Sequence, residues 1–266
     1  MLTNRMSKLL VLGLGGMGLA LLSGCQVSPD SFFAPAFEAF VTPTPTAAAR
    51  DAFNVYDADK RARSVALINA SPFGGEAPYL RLYRLLIDDH DATVRATCAM
   101  ALGYHGQADD TAYLIPLLGD ESSFVRWQAA RALQKLHHLD CVEPLIEVAT
   151  EDQDVDVRLD AAFALGQYPQ PAVFDALVTA LNDRDYGVVH AAAHSLFILT
   201  GQKMEPDPGL WLAWADGHRR TLFDQQQPYG YFPYVQPRGT WDKMQFWKSA
   251  PPKPEPIAPR SLTLAP

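Results

Sequence analysis

His190 and His194 are the residues whose type and spacing come closest to a metal site. Four residues apart on a helix, two imidazole rings lie on one face and can bind the same ion. The nearest carboxylates in the sequence are Asp183 and Asp185, and no glutamate stands in the catalytic position. The sequence therefore predicts no metal site here and favours core or surface histidines.

The remaining sequence offers no other pattern typical of catalysis. It contains no Gly-rich phosphate loop, no nucleophile elbow and no paired carboxylates at a site, so we predict no catalytic residue and no cofactor. The formal net charge of −8 also argues against nucleic-acid binding, which depends on basic side chains that neutralise phosphates. These observations favour a binding protein over an enzyme.

Residues 1–24 have the organisation of a signal peptide. Arg5 and Lys8 precede an apolar run from Leu9 to Leu22 that is interrupted only by glycines. Such a run is typical of secretory signals, and it is shorter than the about 20 residues that span a membrane. We therefore expect this segment to direct export.

The end of that run, Leu22-Ser23-Gly24-Cys25, resembles the lipobox of bacterial lipoproteins. The resemblance implies cleavage before Cys25 and lipidation of its thiol, which would anchor the chain in a lipid bilayer through more than one acyl chain. Gln26, by the sorting rule of such lipoproteins, favours the periplasmic face of the outer membrane over the inner membrane. The expected location is the bacterial cell envelope; the alternative is an ordinary secretory signal with an incidental cysteine.

Four segments in the middle of the chain repeat one pattern and begin at Val94, Val125, Val157 and Val188. Their starts lie 31, 32 and 31 residues apart, and in each the fifth residue after the valine is alanine and the eighth is leucine. These positions form one stripe of a helix, and a second apolar segment precedes each. The sequence therefore predicts repeated helix pairs, with Gly103 and Gly166 placed where a helix end would need a positive φ.

The pattern Asp-x-x-Val-Arg-x-x-Ala-Ala-x-Ala-Leu-Gly resembles HEAT-like repeats of the phycobilisome-lyase (PBS lyase) type over residues 51–202. The resemblance implies an all-α fold, a right-handed α-solenoid of four to five helix pairs. In that family a ladder of aspartates and arginines joins successive loops, and Val189 replaces its fourth arginine here. The matching ladder positions are Asp91, Arg95, Arg126, Asp154, Arg158 and Asp185.

The same resemblance raises an alternative function, a lyase-like or metal-dependent enzyme or a cofactor-handling protein. Packing residues carry the resemblance, and packing residues do not transmit an activity. HEAT-type iron hydroxylases use His-Glu dipeptides as ligands, and no such dipeptide occurs in this sequence. We therefore expect a membrane-anchored scaffold that binds unknown envelope proteins.

Large side chains stand at repeat positions that should face away from the core. An exposed patch of this kind is typical of a protein interface, although the N-terminal Phe segment or the C-terminal tail could instead cover it. The predicted partner-binding residues are Trp127, Arg131, Leu159, Phe163, His190 and His194.

The two ends of the chain differ in composition from the repeats. We expect residues 25–50 to form an extended, Pro-rich tether. Residues 203–249 should comprise a helix that caps the solenoid and an aromatic tail that wraps it, meets a membrane or stacks on sugars. Residues 250–266, rich in proline, are expected to be disordered.

Overall fold

The computed structural model describes residues 44–232 and 254–261. Within these ranges the chain forms eleven α-helices and no strand of a sheet. They are α1 (Pro45–Asp51), α2 (Ala58–Asn69), α3 (Ala77–Leu86), α4 (Ala92–His105), α5 (Thr111–Leu114), α6 (Ser123–Leu133), α7 (Val142–Glu151), α8 (Val155–Leu165), α9 (Pro171–Ala180), α10 (Tyr186–Thr200) and α11 (Pro208–His218). Three short 3-10 helices complete the set: Ala108–Asp110, Ile115–Gly119 and Leu139–Cys141.

The helices pack as pairs in two rows. In one row α2, α4, α6, α8 and α10 pack against one another in that order, and in the other α7 packs on α9 and α9 on α11. Helices α3, α7 and α9 each pack on the helix that follows. The predicted all-α solenoid is therefore confirmed.

The repeated small residues let the second helices of neighbouring pairs approach closely. Val94, Leu102 and their equivalents in the other repeats are fully buried. A Cβ atom on Gly103 would lie 2.8 Å from the Cα atom of Ala132, so α4 and α6 meet there almost backbone to backbone. The expected positive φ is wrong at both glycines, because Gly103 lies inside α4 and Gly166 ends α8 with a φ of −59°. Among the described glycines only Gly201 has a positive φ, at 70°.

The ladder of ion pairs is present, but the sequence assigned its aspartates wrongly. Each arginine reaches an aspartate in the loop that follows the first helix of the next pair. Three of these, Asp89, Asp152 and Asp183, stand two residues before the aspartate that was expected. The pairs are Arg61–Asp89, Arg95–Asp120, Arg126–Asp152 and Arg158–Asp183, all with a shortest N–O distance of 2.7 Å. Burial alone would raise the pKa of Asp152, yet the hydrogen bonds from Arg126 and from the Asp154 amide outweigh it and hold that pKa below its ordinary value.

The aspartates expected in the ladder have a different role. The side chains of Asp91, Asp154 and Asp185 accept hydrogen bonds from the first backbone amides of α4, α8 and α10 and so cap these helices. The Asp-x-x-Val spacing is thus a helix N-cap, and the ladder aspartate precedes it.

The folded repeats begin before the expected boundary at residue 51. Thr44 caps α1, Pro45 occupies its first turn, and Ala48 and Ala52 are buried. Proline suits this position because the amides of the first helical turn have no acceptor within the helix, so the amide hydrogen that proline lacks is not needed there. The last seven residues of the expected tether are therefore part of the helical array.

The C-terminal part of the chain folds back onto the repeats. In α11, Trp211 is buried and meets the ring of Phe174 edge-on. Helix α11 thus lies at the end of the row formed by α7 and α9. Residues 254–261, expected to be disordered, instead contact the ends of α4 and α6 through Arg260 and pair with Tyr231 through Ile257.

Several expected features fall outside the described residues. These are the signal peptide, the lipidation site Cys25, the tether up to residue 43, and the aromatic residues between 233 and 253. Among residues 44–232 and 254–261, no helix has the length and apolar character to cross a membrane.

Candidate functional site

Trp127 and Asp160 join neighbouring helices at the centre of the predicted patch. The indole N–H of Trp127, on α6, donates a 2.6 Å hydrogen bond to Oδ2 of Asp160, on α8. Arg131, one turn after Trp127, places its guanidinium 4.8 Å from the centre of the indole ring and its Nε 3.9 Å from the same carboxylate oxygen. The three side chains form a fixed polar cluster within an aromatic surface.

The charge on Asp160 is balanced inside this cluster. Its side chain is 16% exposed, and burial raises its pKa above the ordinary value, while Arg131 and the Trp127 hydrogen bond act in the opposite direction. Arg131 remains 31% exposed. The cluster therefore leaves part of the Trp127 indole and the Arg131 guanidinium at the surface.

Helix α8 continues the surface towards α10. The ring of Phe163 meets the ring of His194 edge-on, with centroids 5.6 Å apart. Leu159 lies against Gly187, where a Cβ would come within 2.9 Å of its Cδ1 atom. Trp127, Leu159 and Phe163 are half-buried against the core, so the expectation of fully solvent-facing side chains is only partly met.

His190 and His194 are both exposed on α10. Partial loss of hydration, and then the nearby His190, lower the pKa of His194 from its ordinary value. No group of three metal-ligating side chains occurs among the residues that the structure describes.

Two exposed aromatic residues extend the surface and were missed in the sequence. Phe124 is 46% exposed with its ring centroid 5.9 Å from that of Trp127, and Tyr186 is 77% exposed beside His190 at 6.4 Å. Both precede the starting valine of their repeat, in the first turn of α6 and α10, outside the offsets compared between repeats. We call Phe124, Tyr186 and the six predicted residues the aromatic surface.

Lys135 lies next to this surface in an unusual setting. It is 7% exposed, and its ammonium group lies 3.7 Å from the centre of the Tyr104 ring. Burial, followed by the charges of Arg131 and Arg260, lowers its pKa to about 7. This group could not be identified from the sequence, because its burial depends on residues far away in the chain, Tyr104 and Arg260.

A family model described as HEAT repeats matches residues 80–140 and 142–207. The matched residues coincide with the helix pairs from α3 to α10. The chain therefore contains HEAT repeats.

Solved structures with similar folds are distant in sequence. An engineered protein is 18% identical with a TM-score of 0.48, and the match covers 65% of this chain and 86% of that one. A designed armadillo repeat protein is 16% identical with a TM-score of 0.48, covering 66% and 90%. The protein YibA of Escherichia coli is 20% identical with a TM-score of 0.48, covering 66% and 68%. Among curated proteins, none matches this sequence.

Proposed function

We propose that this chain, which contains HEAT repeats, is a non-enzymatic scaffold that binds a protein partner through its aromatic surface. The observation that carries the proposal is a set of contacts across three successive repeats: Phe124 with Trp127, Trp127 with Asp160, and Phe163 with His194. Stacked repeats commonly present extended binding surfaces of this kind.

The residue types support a protein as the partner. Tryptophan, tyrosine and arginine dominate the energy of protein interfaces, and the best-placed side chains are already held rigid before binding. Trp127 and Arg131 are fixed through Asp160 in this way. The partner that fits is a folded protein with apolar side chains opposite the rings and a carboxylate opposite Arg131.

The test is capture of envelope proteins by the purified chain, with proteins identified by mass spectrometry. We expect specific proteins on the wild-type chain that are lost when Phe124 and Tyr186 are both changed to alanine. Both side chains are exposed, so these changes leave the core intact. Leu85→Ala is the matched control, because Leu85 is 67% exposed on α3, in the other row of helices.

Two outcomes would contradict the binding role. One is an unchanged set of captured proteins after the double substitution, with its folding verified by thermal melting. The other is equal loss in the Leu85→Ala control, which would indicate non-specific apolar adsorption.

We further propose that the chain is a lipoprotein of the bacterial envelope, with repeats of the PBS lyase type. The support is the lipobox-like Leu22-Ser23-Gly24-Cys25 after a signal-like run, and the Val-Arg and Ala-Leu spacing of the repeats. Intact-mass measurement of the membrane fraction should show a chain that begins at Cys25 and carries acyl groups. Cys25→Ser should remove the added mass and release the protein from membranes. An unmodified Cys25 would rule out the proposed lipid anchor.

A further inference from the structure

The C-terminal part of the chain runs across the carboxyl ends of the second helices of the pairs, α10, α8, α6 and α4. We call residues 225–232 and 254–261 the strap. Its contacts follow the helices in reverse order: the Gln227 amide donates to the Ile198 carbonyl of α10, at 2.7 Å, and the Tyr229 hydroxyl to the Phe163 carbonyl of α8, at 2.9 Å. The strap then reaches the ends of α6 and α4 through Arg260.

Arg260 binds two helix ends at once. Its backbone amide donates to the carbonyl of Lys135, and its carbonyl accepts from the amide of His137, both at 2.9 Å, so it pairs with the chain that leaves α6 as a strand would. Its guanidinium donates to the carbonyl of Gly106, at 2.6 Å, and to the carbonyl of Tyr104.

These carbonyls need donors because of how α4 ends. The last carbonyls of a helix have no partner within it, and they carry the negative end of the helix dipole. Gly106 leaves α4 in an extended conformation, and a Cβ there would lie 2.5 Å from the Leu102 carbonyl oxygen. The turn therefore directs backbone oxygens into the space that the guanidinium fills.

The strap is held at few points near this end. Of residues 254–261, only Pro259 is buried and only Arg260 is half-buried, and the others are exposed. Two residues thus account for the contact with α4 and α6: Pro259, which is buried, and Arg260, whose backbone amide and carbonyl are both paired. A proline before the anchor also reduces the conformational entropy lost on binding.

We propose that the space between the carboxyl ends of α4 and α6 is a peptide-binding slot for an extended Pro-Arg segment, which Pro259 and Arg260 occupy in cis and a partner segment of the same kind can replace. Main-chain pairing supplies affinity and one side-chain site supplies specificity, as in other modes of strand addition. The slot contains none of the residues of the aromatic surface, and it does not depend on the function proposed for that surface.

The test uses the full chain and a fluorescent peptide of residues 254–261, with binding followed by anisotropy. In the wild-type chain the attached segment competes at high effective concentration, so the peptide should bind weakly. Arg260→Ala in the chain should tighten peptide binding at least tenfold by weakening that competitor. A peptide with alanine at the position of Arg260 should bind the variant at least tenfold more weakly than the unchanged peptide.

A second variant covers the case in which Arg260→Ala does not fold. Ile257→Pro removes the amide that donates to the Tyr231 carbonyl and leaves the slot intact, so it should also tighten peptide binding. Absence of binding to a folded variant, or equal affinity for wild type and variant, would overturn the proposal. Equal binding of the two peptides would overturn it as well, because the arginine would then have no part.

Discussion

The guanidinium of Arg126 donates two hydrogen bonds, of 2.7 and 2.9 Å, to the carboxylate of Asp152, 26 residues later in the chain. The same guanidinium donates to the carbonyl of Asp120 at 2.9 Å, in the preceding loop. Each arginine of the ladder thus ties its own loop to the next one. Because such pairs lie at every junction from α2 to α10, they fix the spacing of the repeats.

Asp152 and Asp154 should differ in their effect on stability when each is changed to alanine. Asp152→Ala leaves a mostly buried guanidinium without its carboxylate, which costs about 2–4 kcal/mol. Asp154→Ala removes an N-cap and costs about 1 kcal/mol. Urea unfolding measures both, with the exposed pair partner Arg219→Ala as a control that should change nothing. A larger loss of unfolding free energy for Asp154→Ala than for Asp152→Ala would mean that Asp154, as the sequence suggested, is the ladder residue.

Gly103 and Gly217 provide opposite tests of how closely the helices pack. Gly103→Ala should destabilise the fold by about 1–3 kcal/mol, because its Cβ would lie 2.8 Å from the backbone of Ala132. Gly217→Ala, in α11, meets no atom within 4 Å and should stabilise the helix by about 0.5 kcal/mol. Thermal melting checks both; stabilisation by Gly103→Ala would show that α4 and α6 can separate freely.

The repeats could be predicted because their packing depends on local residue types at a constant spacing. Alanine at the fifth position and leucine at the eighth specify a buried stripe whatever the rest of the chain does. The ladder could be predicted only in part, because its aspartates lie after the preceding helix and before the residue that caps the next one; they are Asp89, Asp120, Asp152 and Asp183. Three of the four loops have an aspartate at both positions, and local spacing favours the one that caps the next helix.

The candidate site was accessible to sequence reasoning only where it follows the repeat. Trp127 and Phe163 were found because they occupy variable repeat positions, and the cluster with Asp160 was missed because it joins two helices. The strap was missed for a further reason. Its Pro-rich composition favours disorder, and the carbonyls that hold Arg260 lie 154 and 156 residues earlier in the chain.

Cys98 and Cys141 should be inert towards thiol reagents in the folded chain. Both side chains are fully buried, and burial raises the pKa of each thiol, to about 11 for Cys141. In a Cys25→Ser chain at pH 8, Ellman's reagent should find no reactive thiol before denaturation and two after it. Rapid reaction of one thiol in the native state would show that its helix opens locally.

Lys135 should make the stability of the fold depend on pH near neutrality. The charged groups that act on it are Arg131 and Arg260, which lower its pKa, and Asp160, which raises it; burial has the largest effect and brings the pKa from 10.5 to about 7. The unfolded chain therefore binds one more proton than the folded chain between these two values. Stability contributed by this group consequently rises with pH above 7, by up to about 1.4 kcal/mol per pH unit, and is constant below it.

Lys135→Met isolates this contribution, because methionine retains the apolar packing without titrating. The difference in unfolding free energy between wild type and variant should change by about 2 kcal/mol in favour of the wild type between pH 7 and 8.5. The buried thiols and the tyrosines titrate equally in both proteins, so their effects cancel in that difference. Urea unfolding at half-unit steps of pH measures it. Parallel stability curves would mean that Lys135 keeps an ordinary pKa and that its ammonium group reaches water past Tyr104.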